Sequence, residues 1–156
     1  MRSITRYLAV VALVGSFFML WRAHTAQDVV VAQTRKPIMV TRIYTGTDGL
    51  SHAQQIEMKL TGNGLSDMMK VTGAQFSSRP AGPAGGWHTG PMRQFVINLA
   101  GRAELEVANG QKVPVGPGQI DLIEDTTGKG HITRNIEDRI VVTIPLEDQT
   151  VSTAAK

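Results

Sequence analysis

Histidine, carboxylate and amide side chains are the candidate functional groups of this 156-residue sequence, which contains no cysteine. The lack of cysteine excludes a thiol nucleophile, thiolate metal ligands and disulfides. The serines at positions 51, 66, 77 and 78 do not lie in a Gly-x-Ser-x-Gly elbow, so no activated serine is predicted. The glycine-rich stretch 82–86 has no following Lys-Ser or Lys-Thr and is therefore not a phosphate-binding loop.

Two acidic residues lie shortly before a histidine in the second half of the chain. Glu124 and Asp125 precede His131 on what the sequence indicates is a loop. A carboxylate there could act as a general base beside His131. Alternatively, the pair supplies loop polarity and Asp125 makes a turn. Both interpretations stay open.

Short β-strands separated by turns must position these residues. No helical period persists after Ala32, whereas Leu105 and Val107 alternate with Glu104 and Glu106 at the strand period of two. Nine strands at a spacing of about ten residues predict an all-β sandwich or barrel. The predicted strands cover residues 36–44, 53–60, 68–76, 93–99, 103–108, 111–115, 119–123, 131–135 and 139–146.

Two turn signals separate these strands most clearly. Asn109-Gly110 predicts a two-residue hairpin turn of type I′, which needs positive φ at both central residues. Residues 79–86 contain two prolines and three glycines and predict a loop.

Polar residues between positions 87 and 101 follow the spacing of a known motif. That motif is His-x-His, three or four residues, Glu, six residues, Gly. Here His88 takes the first place, Gly90 stands where the second histidine belongs, and Gln94 takes the glutamate's place. Six residues separate Gln94 from Gly101. The spacing is intact while two of the ligand residues are replaced.

A second motif follows, of the form Pro-x-Gly, two residues, His, three residues, Asn. Thr126-Thr127-Gly128 stands in the first place and leads to His131 and Asn135. With both motifs, and with Gly116-Pro117-Gly118 between them, the run 87–146 resembles the cupin superfamily. The resemblance implies an all-β, double-stranded β-helix (jelly-roll) barrel with its site in the mouth. Segments between 36 and 76 would pair at the barrel edge or on a second subunit.

The resemblance also implies part of a metal site. Metal-binding cupins hold a divalent ion with three histidines and a glutamate, and this chain retains His88 and His131. Gln94 offers only a neutral amide oxygen, a weaker ligand than a carboxylate. A complete site would need Glu124 or Asp125, or a third imidazole from His52. Three roles for the two histidines stay open. They bind a divalent metal, they hydrogen-bond a ligand in a metal-free pocket, or their role is structural.

Strand alternation places Gln94 and Asn98 on one inward face with Met92 and Val96. Two inward amides need partners, which a ligand, ordered water, each other or the backbone could supply. Trp87 is interpreted either as a lid over a small ligand or as a residue closing the barrel rim. The candidate pocket residues are Trp87, His88, Gln94, Asn98, Glu124 and His131.

The N-terminus has the pattern of an export signal. Arg2 and Arg6 precede an uncharged stretch of fifteen residues, 7–21. This stretch is too short to cross a bilayer core of about 30 Å comfortably, but it suits a signal-peptide core. Cleavage is expected after Ala26 or Ala32, which would give an exported, periplasmic protein. An uncleaved membrane anchor and a start-site artefact are the alternatives.

The predicted organisation is a leader over residues 1–32, a cupin domain over 33–146 with its core motifs at 87–146, and a flexible tail over 147–156. The leader holds three of the 16 basic and one of the 13 acidic residues. Without it, 13 basic and 12 acidic residues leave a net charge of +1. A nearly neutral domain predicts no nucleic-acid partner and no membrane contact except through an uncleaved leader.

Three functions agree with this sequence. The first is an exported cupin that binds a small molecule in its barrel, with no assigned reaction. The second is a metal-dependent oxygenase or isomerase that uses His88, His131 and a carboxylate. The third is a structural homodimer with a vestigial pocket. Fold-level analogy cannot choose among them, because one fold hosts many activities.

Overall fold

Nine β-strands and no helix make up the regular structure of residues 35–147, the part of the chain that the computed structural model describes. The predicted leader, both of its cleavage sites and residues 148–156 of the predicted tail lie outside the described residues. The strands are β1 (Met39–Thr45), β2 (Ser51–Glu57), β3 (Gln75–Arg79), β4 (Gln94–Ala100), β5 (Ala103–Val107), β6 (Lys112–Val115), β7 (Ile120–Glu124), β8 (His131–Asn135) and β9 (Arg139–Pro145).

The strands form two sheets that pack as a β-sandwich. The larger sheet has six strands in the order β2-β1-β7-β4-β9-β3, and the smaller has three in the order β6-β5-β8. All paired strands are antiparallel except β1 and β7, which are parallel. This two-sheet, all-β architecture is consistent with a cupin-type jelly roll, and the fold class predicted from the sequence is confirmed.

Alternate side chains from both sheets fill the space between them. On β1, β4, β7 and β9, every second residue points toward the smaller sheet, as the period of two requires. Full burial of an aliphatic side chain contributes about 1.5–3 kcal/mol, so this cluster fixes how the sheets face each other. The buried cluster consists of Ile43, Val96, Ala103, Leu105, Val107, Val113, Val115, Ile123 and Val141.

The hairpin between β5 and β6 is present, but the predicted type I′ turn is wrong. No residue other than glycine has positive φ in the described chain, so Asn109 cannot take the first central position of that turn. Instead, the Gly110 amide donates to the Val107 carbonyl, and the Val107 amide donates to the Gln111 carbonyl. Within this hairpin loop, only Gly110 has positive φ, at 88°. This is a three-residue loop, a type I turn followed by a left-handed glycine.

The prediction of a strand over 68–76 is wrong for most of its length. β3 begins only at Gln75 and continues through Arg79, which the sequence places in a loop. Register with β9 decides these bounds, because Gln75 pairs with Thr143 and Arg79 with Arg139. Met68 has no such partner and is 97% exposed. The segment that begins at Met68 is therefore not a strand, whereas the polar segment Gln75–Arg79 forms a strand at the edge of the sheet.

Residues 37–147 belong to one compact unit, and both sheets lie within it. Residues 35–147 contain no helix that is long and apolar enough to cross a membrane.

Candidate functional site

A cavity of about 280 Å³ lies between the two sheets. Its apolar wall comes from both layers of the sandwich, through Val96 and Ile123 on the larger sheet and Leu105 and Val115 on the smaller. The remaining lining is mostly polar. It consists of Gln75, Arg79, His88, Gly90, Pro91, Gln94, Asp121, His131, Thr133, Arg139 and Thr143.

Strand register explains why these side chains meet. Across β3 and β9, Arg79 lies opposite Arg139 and Gln75 opposite Thr143. Residues directly opposite each other in a sheet point to the same face. The next pairing, of Thr143 with Val96, carries that face onto β4. One face of the larger sheet thus supplies most of the polar lining.

Backbone pairing brings His88 and His131 together. The His88 amide donates to the His131 carbonyl at 3.0 Å, and the His131 amide donates to the His88 carbonyl at 2.9 Å. Their rings therefore lie on the same side, with centroids 4.6 Å apart. Gly130 permits this pairing, because a Cβ at that position would collide with the His88 carbonyl oxygen. The glycine directly before His131 is thus required by the approach of another backbone.

Both imidazole rings are oriented through Nδ1. His131 donates from Nδ1 to Oδ2 of Asp125 at 2.6 Å, and both residues are buried. His88, which is exposed, donates from Nδ1 to the Gly86 carbonyl at 3.0 Å. Since both acceptors are oxygens, each Nδ1 carries a proton, and Nε2 of each ring has no hydrogen-bond partner among the described residues. Two unpartnered ring nitrogens thus remain at one end of the cavity, here called the imidazole end.

Gln94 and Asn98 share the inward face of β4 but differ in role. Gln94 lines the cavity, and no other described residue hydrogen-bonds its side chain. Asn98 does not line the cavity and is fully buried. Its Nδ2 donates to the Gly101 carbonyl at 2.7 Å, and its Oδ1 accepts from Nε of Arg139 at 2.9 Å. Asn98 therefore positions another side chain rather than meeting a ligand.

Glu124 does not line the cavity either. Its two carboxylate oxygens accept from Nε of Arg42, at 2.6 Å, and from Nε of Arg93. Burial alone would raise the pKa of the Glu124 carboxyl, but the two arginines hold this pKa below its ordinary value. A carboxylate held this way is not free to serve as a base beside His131. Asp125, its neighbour, contacts that ring instead.

Trp87 and His52 lie outside the cavity lining. The Trp87 ring is 37% exposed, and Nζ of Lys129 lies 3.9 Å from its centroid, a cation–π contact. His52 is on β2 and hydrogen-bonds Asp48 and Asn109. Met92, expected on the inward face, precedes β4 and is exposed. His52 therefore adds no third imidazole to His88 and His131.

The donors at the imidazole end do not fit a divalent metal. Within residues 35–147, no group of three His, Cys, Asp or Glu is placed to hold an ion. At Gly90, where the motif's second histidine belongs, a Cβ would lie 2.6 Å from Cγ2 of Ile123. Ile123 therefore occupies the space that this ligand's side chain needs. Both oxygens of Glu124 accept from arginines, and Oδ2 of Asp125 accepts from His131 while its Oδ1 has no partner in this part of the chain. The described residues therefore do not assemble the ligand set of a metal-dependent oxygenase or isomerase.

The opposite end of the cavity holds residues that sequence reasoning missed. Arg79 and Arg139 line it, and Nη1 of Arg139 donates to Oδ1 of Asn135 at 3.1 Å. We call this the guanidinium end. Alternation along β9 could have placed Arg139 on the face of Val141 and Thr143. No comparable signal exists for Arg79, because the residues that follow it predict a loop.

Burial is the largest influence on the pKa values at this end. Burial lowers the pKa of Arg139, the charge of Arg79 lowers this pKa further, and the charge of Asp121 raises it. Burial likewise raises the pKa of Asp121, against a hydrogen bond from Gln119 and the charge of Arg139. An arginine stays protonated, so two guanidinium groups share this end of the cavity with the single carboxyl group of Asp121. The guanidinium end carries net positive charge.

Comparison with known proteins identifies no function. No family model matches the chain, and no curated protein matches it significantly. Solved structures that are similar to it include the following three. Protein NMB1881 from Neisseria meningitidis shares 19% identity with a TM-score of 0.40, over 52% of this chain and 84% of that one. The conserved SPY1581 protein of unknown function from Streptococcus pyogenes shares 21% identity with a TM-score of 0.38, over 53% and 71%.

The third is a putative ethanolamine utilization protein q from Salmonella typhimurium. It shares 13% identity with a TM-score of 0.40, over 72% of this chain and 97% of that one. Similarities of this size carry no argument about activity or ligand. Function must therefore be inferred from the geometry of this chain.

Proposed function

We propose that this chain is an exported, cupin-type protein that binds a small polar molecule in the cavity between its sheets. One observation carries the proposal. Polar groups without a partner among the described residues converge on one cavity. They are Nε2 of His88 and His131, the amide of Gln94, and the hydroxyl groups of Thr133 and Thr143.

Polar groups that line a cavity hydrogen-bond either the water inside it or a ligand that displaces this water. A row of them against an apolar wall is the usual make-up of a small-molecule site. The volume of about 280 Å³ is at the lower end of ligand pockets, which span about 300–1,000 Å³. This size supports a small metabolite rather than a cofactor with several rings.

Filling the cavity tests the proposal. Thr143→Phe places a ring in the cavity, whereas Val142→Phe is the matched control on the opposite face of β9. Wild type and both variants would be screened by ligand-observed NMR against a library of small polar metabolites. We expect compounds that bind wild type and Val142→Phe with equal affinity and lose binding to Thr143→Phe. Thermal melting of each variant shows that it is folded.

Two results would contradict the proposal. Compounds that bind Thr143→Phe as well as wild type would place the site outside this cavity. A library in which nothing binds wild type would leave the polar lining without a ligand role.

Export is part of the same proposal and has its own test. The positively charged start and the uncharged stretch 7–21 support a leader. Mass spectrometry of the protein from cytoplasmic, periplasmic and membrane fractions should find a periplasmic chain beginning at Gln27 or Gln33. A chain that still begins at Met1 in the cytoplasmic fraction would contradict export.

A further inference from the structure

Two positive charges lie directly opposite each other at the guanidinium end. Arg79 on β3 and Arg139 on β9 are register partners, and both line the cavity. Like charges in directly opposite positions destabilise a sheet. Arg139 is only 2% exposed, so water screens this pair poorly. An arrangement of this kind calls for a compensating negative group.

The described residues do not supply that group. Neutral amide oxygens of Asn98 and Asn135 accept the hydrogen bonds of Arg139. Nε of Arg79 donates to the Ser77 hydroxyl. No carboxylate within residues 35–147 lies within ion-pair distance of either arginine. The protein therefore orients the Arg139 guanidinium without neutralising it.

Asp121 compensates only at longer range. It lines the same cavity and influences Arg139 through its charge, but its Oδ1 accepts from Nε2 of Gln119 at 2.8 Å. A buried carboxylate turned to an amide donor is a weak counter-ion for two guanidinium groups. A buried, unpaired charge is costly, whereas one that binds an anion forms strong charge-assisted hydrogen bonds.

We infer that the cavity binds a small organic anion whose carboxylate or phosphate group lies between Arg79 and Arg139. The planar forks of the two side chains suit either group. The rest of the molecule extends toward the imidazole end. His131 and Asn135 are four residues apart on β8, which separates the two ends by roughly 13 Å along the strand. This inference rests on the proposed binding function and names the ligand class.

Anion binding can be measured without knowing the natural ligand. Thermal unfolding would be followed with increasing succinate, inorganic phosphate or chloride at constant ionic strength, with succinamide as the uncharged analogue of succinate. We expect a saturable rise in Tm with succinate or phosphate and none with chloride or succinamide. The more effective of the two anions identifies the head group.

Arg79→Gln is the decisive variant, because Arg79 is half-buried on an edge strand and its loss should not unfold the protein. We expect the apparent Kd of the anion to rise at least about tenfold, the scale of a lost charge-assisted hydrogen bond. Arg134→Gln, with the same loss of charge on the exposed face of β8, should bind like wild type. Arg139→Gln should also lose binding, if it folds.

The results separate failure of this inference from failure of the proposed function. A Tm response that does not saturate, or that Arg79→Gln retains, reflects general exclusion of the anion from the surface and overturns the inference. If uncharged compounds bind wild type and Arg79→Gln with equal affinity but do not bind Thr143→Phe, the cavity binds ligands that are not anions. If Thr143→Phe affects no compound, both proposals fail.

Discussion

The two ends of the cavity are held by different kinds of partner. At the imidazole end, the ring of His131 donates to a carboxylate and that of His88 to a carbonyl oxygen, so Nε2 of each ring is left without a partner among the described residues. At the guanidinium end, Arg139 donates to two neutral amides and faces a second arginine. The first end thus has unpartnered ring nitrogens, and the second has positive charge without a negative partner at ion-pair distance.

This difference assigns separate tasks to the two ends. An unbalanced charge in a poorly screened place dominates affinity and determines which charge a ligand must carry. The histidine Nε2 atoms and the Gln94 amide contribute less energy but select the hydrogen-bonding pattern and shape of the ligand. The comparison therefore predicts that changes at the guanidinium end alter which class of molecule binds. Changes at the imidazole end should alter which member of the class binds.

The largest effect is expected at Gly90. Gly90→Ala should lower the free energy of unfolding by about 3 kcal/mol, because overpacking a filled site is costly. The new Cβ would lie 2.6 Å from Cγ2 of Ile123. Gly85→Ala is the control, since nothing lies within 4 Å of a Cβ there. Chemical denaturation measures both variants, and equal stability of the two would contradict the explanation for the missing histidine.

A double-mutant cycle sharpens this result. In an Ile123→Ala background, the cost of Gly90→Ala should fall by at least about 1 kcal/mol, because the colliding methyl group is gone. Additive effects would mean that something other than Ile123 excludes a side chain at position 90.

A smaller loss is expected at Asn98. Asn98→Ala should cost about 2 kcal/mol, because it leaves the Gly101 carbonyl and Nε of Arg139 without their partner. It should also weaken binding of the anion, since Arg139 loses its orientation. Gln54→Ala, on the exposed side of β2, should change stability by less than about 0.5 kcal/mol. Unchanged stability in Asn98→Ala would remove Asn98 from the account of the guanidinium end.

The ion pairs of Glu124 predict a pH dependence of the free energy of unfolding that involves neither end of the cavity. Arg42 and Arg93 hold its folded-state pKa below the ordinary value of 4.5. Its contribution is therefore present above pH 4.5 and is lost as the pH falls through the lower, folded-state pKa. Glu124→Gln should cost about 1 kcal/mol at pH 7, since both arginines are partly solvated.

The difference between Glu124→Gln and wild type should shrink as the pH falls below 4.5, because the wild-type carboxyl then becomes neutral as well. Glu57→Gln, an exposed change on β2, serves as control and should leave the pH profile of unfolding unaltered. A constant difference at every pH would contradict the ion-pair assignment.

The smallest effect is expected for Arg79→Gln without any added anion. Removal of one of two opposed charges should raise the free energy of unfolding by about 0.5 kcal/mol, within the range for directly opposed like charges. Denaturation in a chloride buffer measures it. A loss of stability there would mean that the arginines do not repel each other.

Period-two alternation predicted the strands other than β3 close to their observed bounds, because it depends on local sequence. The meeting of His88 with His131, which are far apart in the chain, was implied only by the resemblance to the two cupin motifs. The close backbone approach that requires Gly130 could not be predicted, because Gly130 is not a specified position of the second motif. The guanidinium end depends on pairing between β3 and β9, whose partners are far apart in sequence. Arg79 resembles part of a loop because its strand is polar, and register alone brings it opposite Arg139.

Asn98 also shows that alternation predicts which face a side chain takes but not its hydrogen-bond partners. Alternation correctly placed it on the inward face of β4, but it could not show that Arg139 and the Gly101 carbonyl take both ends of its amide. The loss of the second motif histidine was visible in the sequence. That Ile123 fills its space was not, because that contact joins residues on separate segments.

NMR of the arginine Nε–H and histidine ring signals during a titration with succinate and with phosphate tests the central claim most directly. The account predicts saturable shifts of the Arg79 and Arg139 Nε–H signals with one of these anions, while the exposed Arg134 stays unchanged. Shifts that are linear in anion concentration and equal for all three arginines would contradict it.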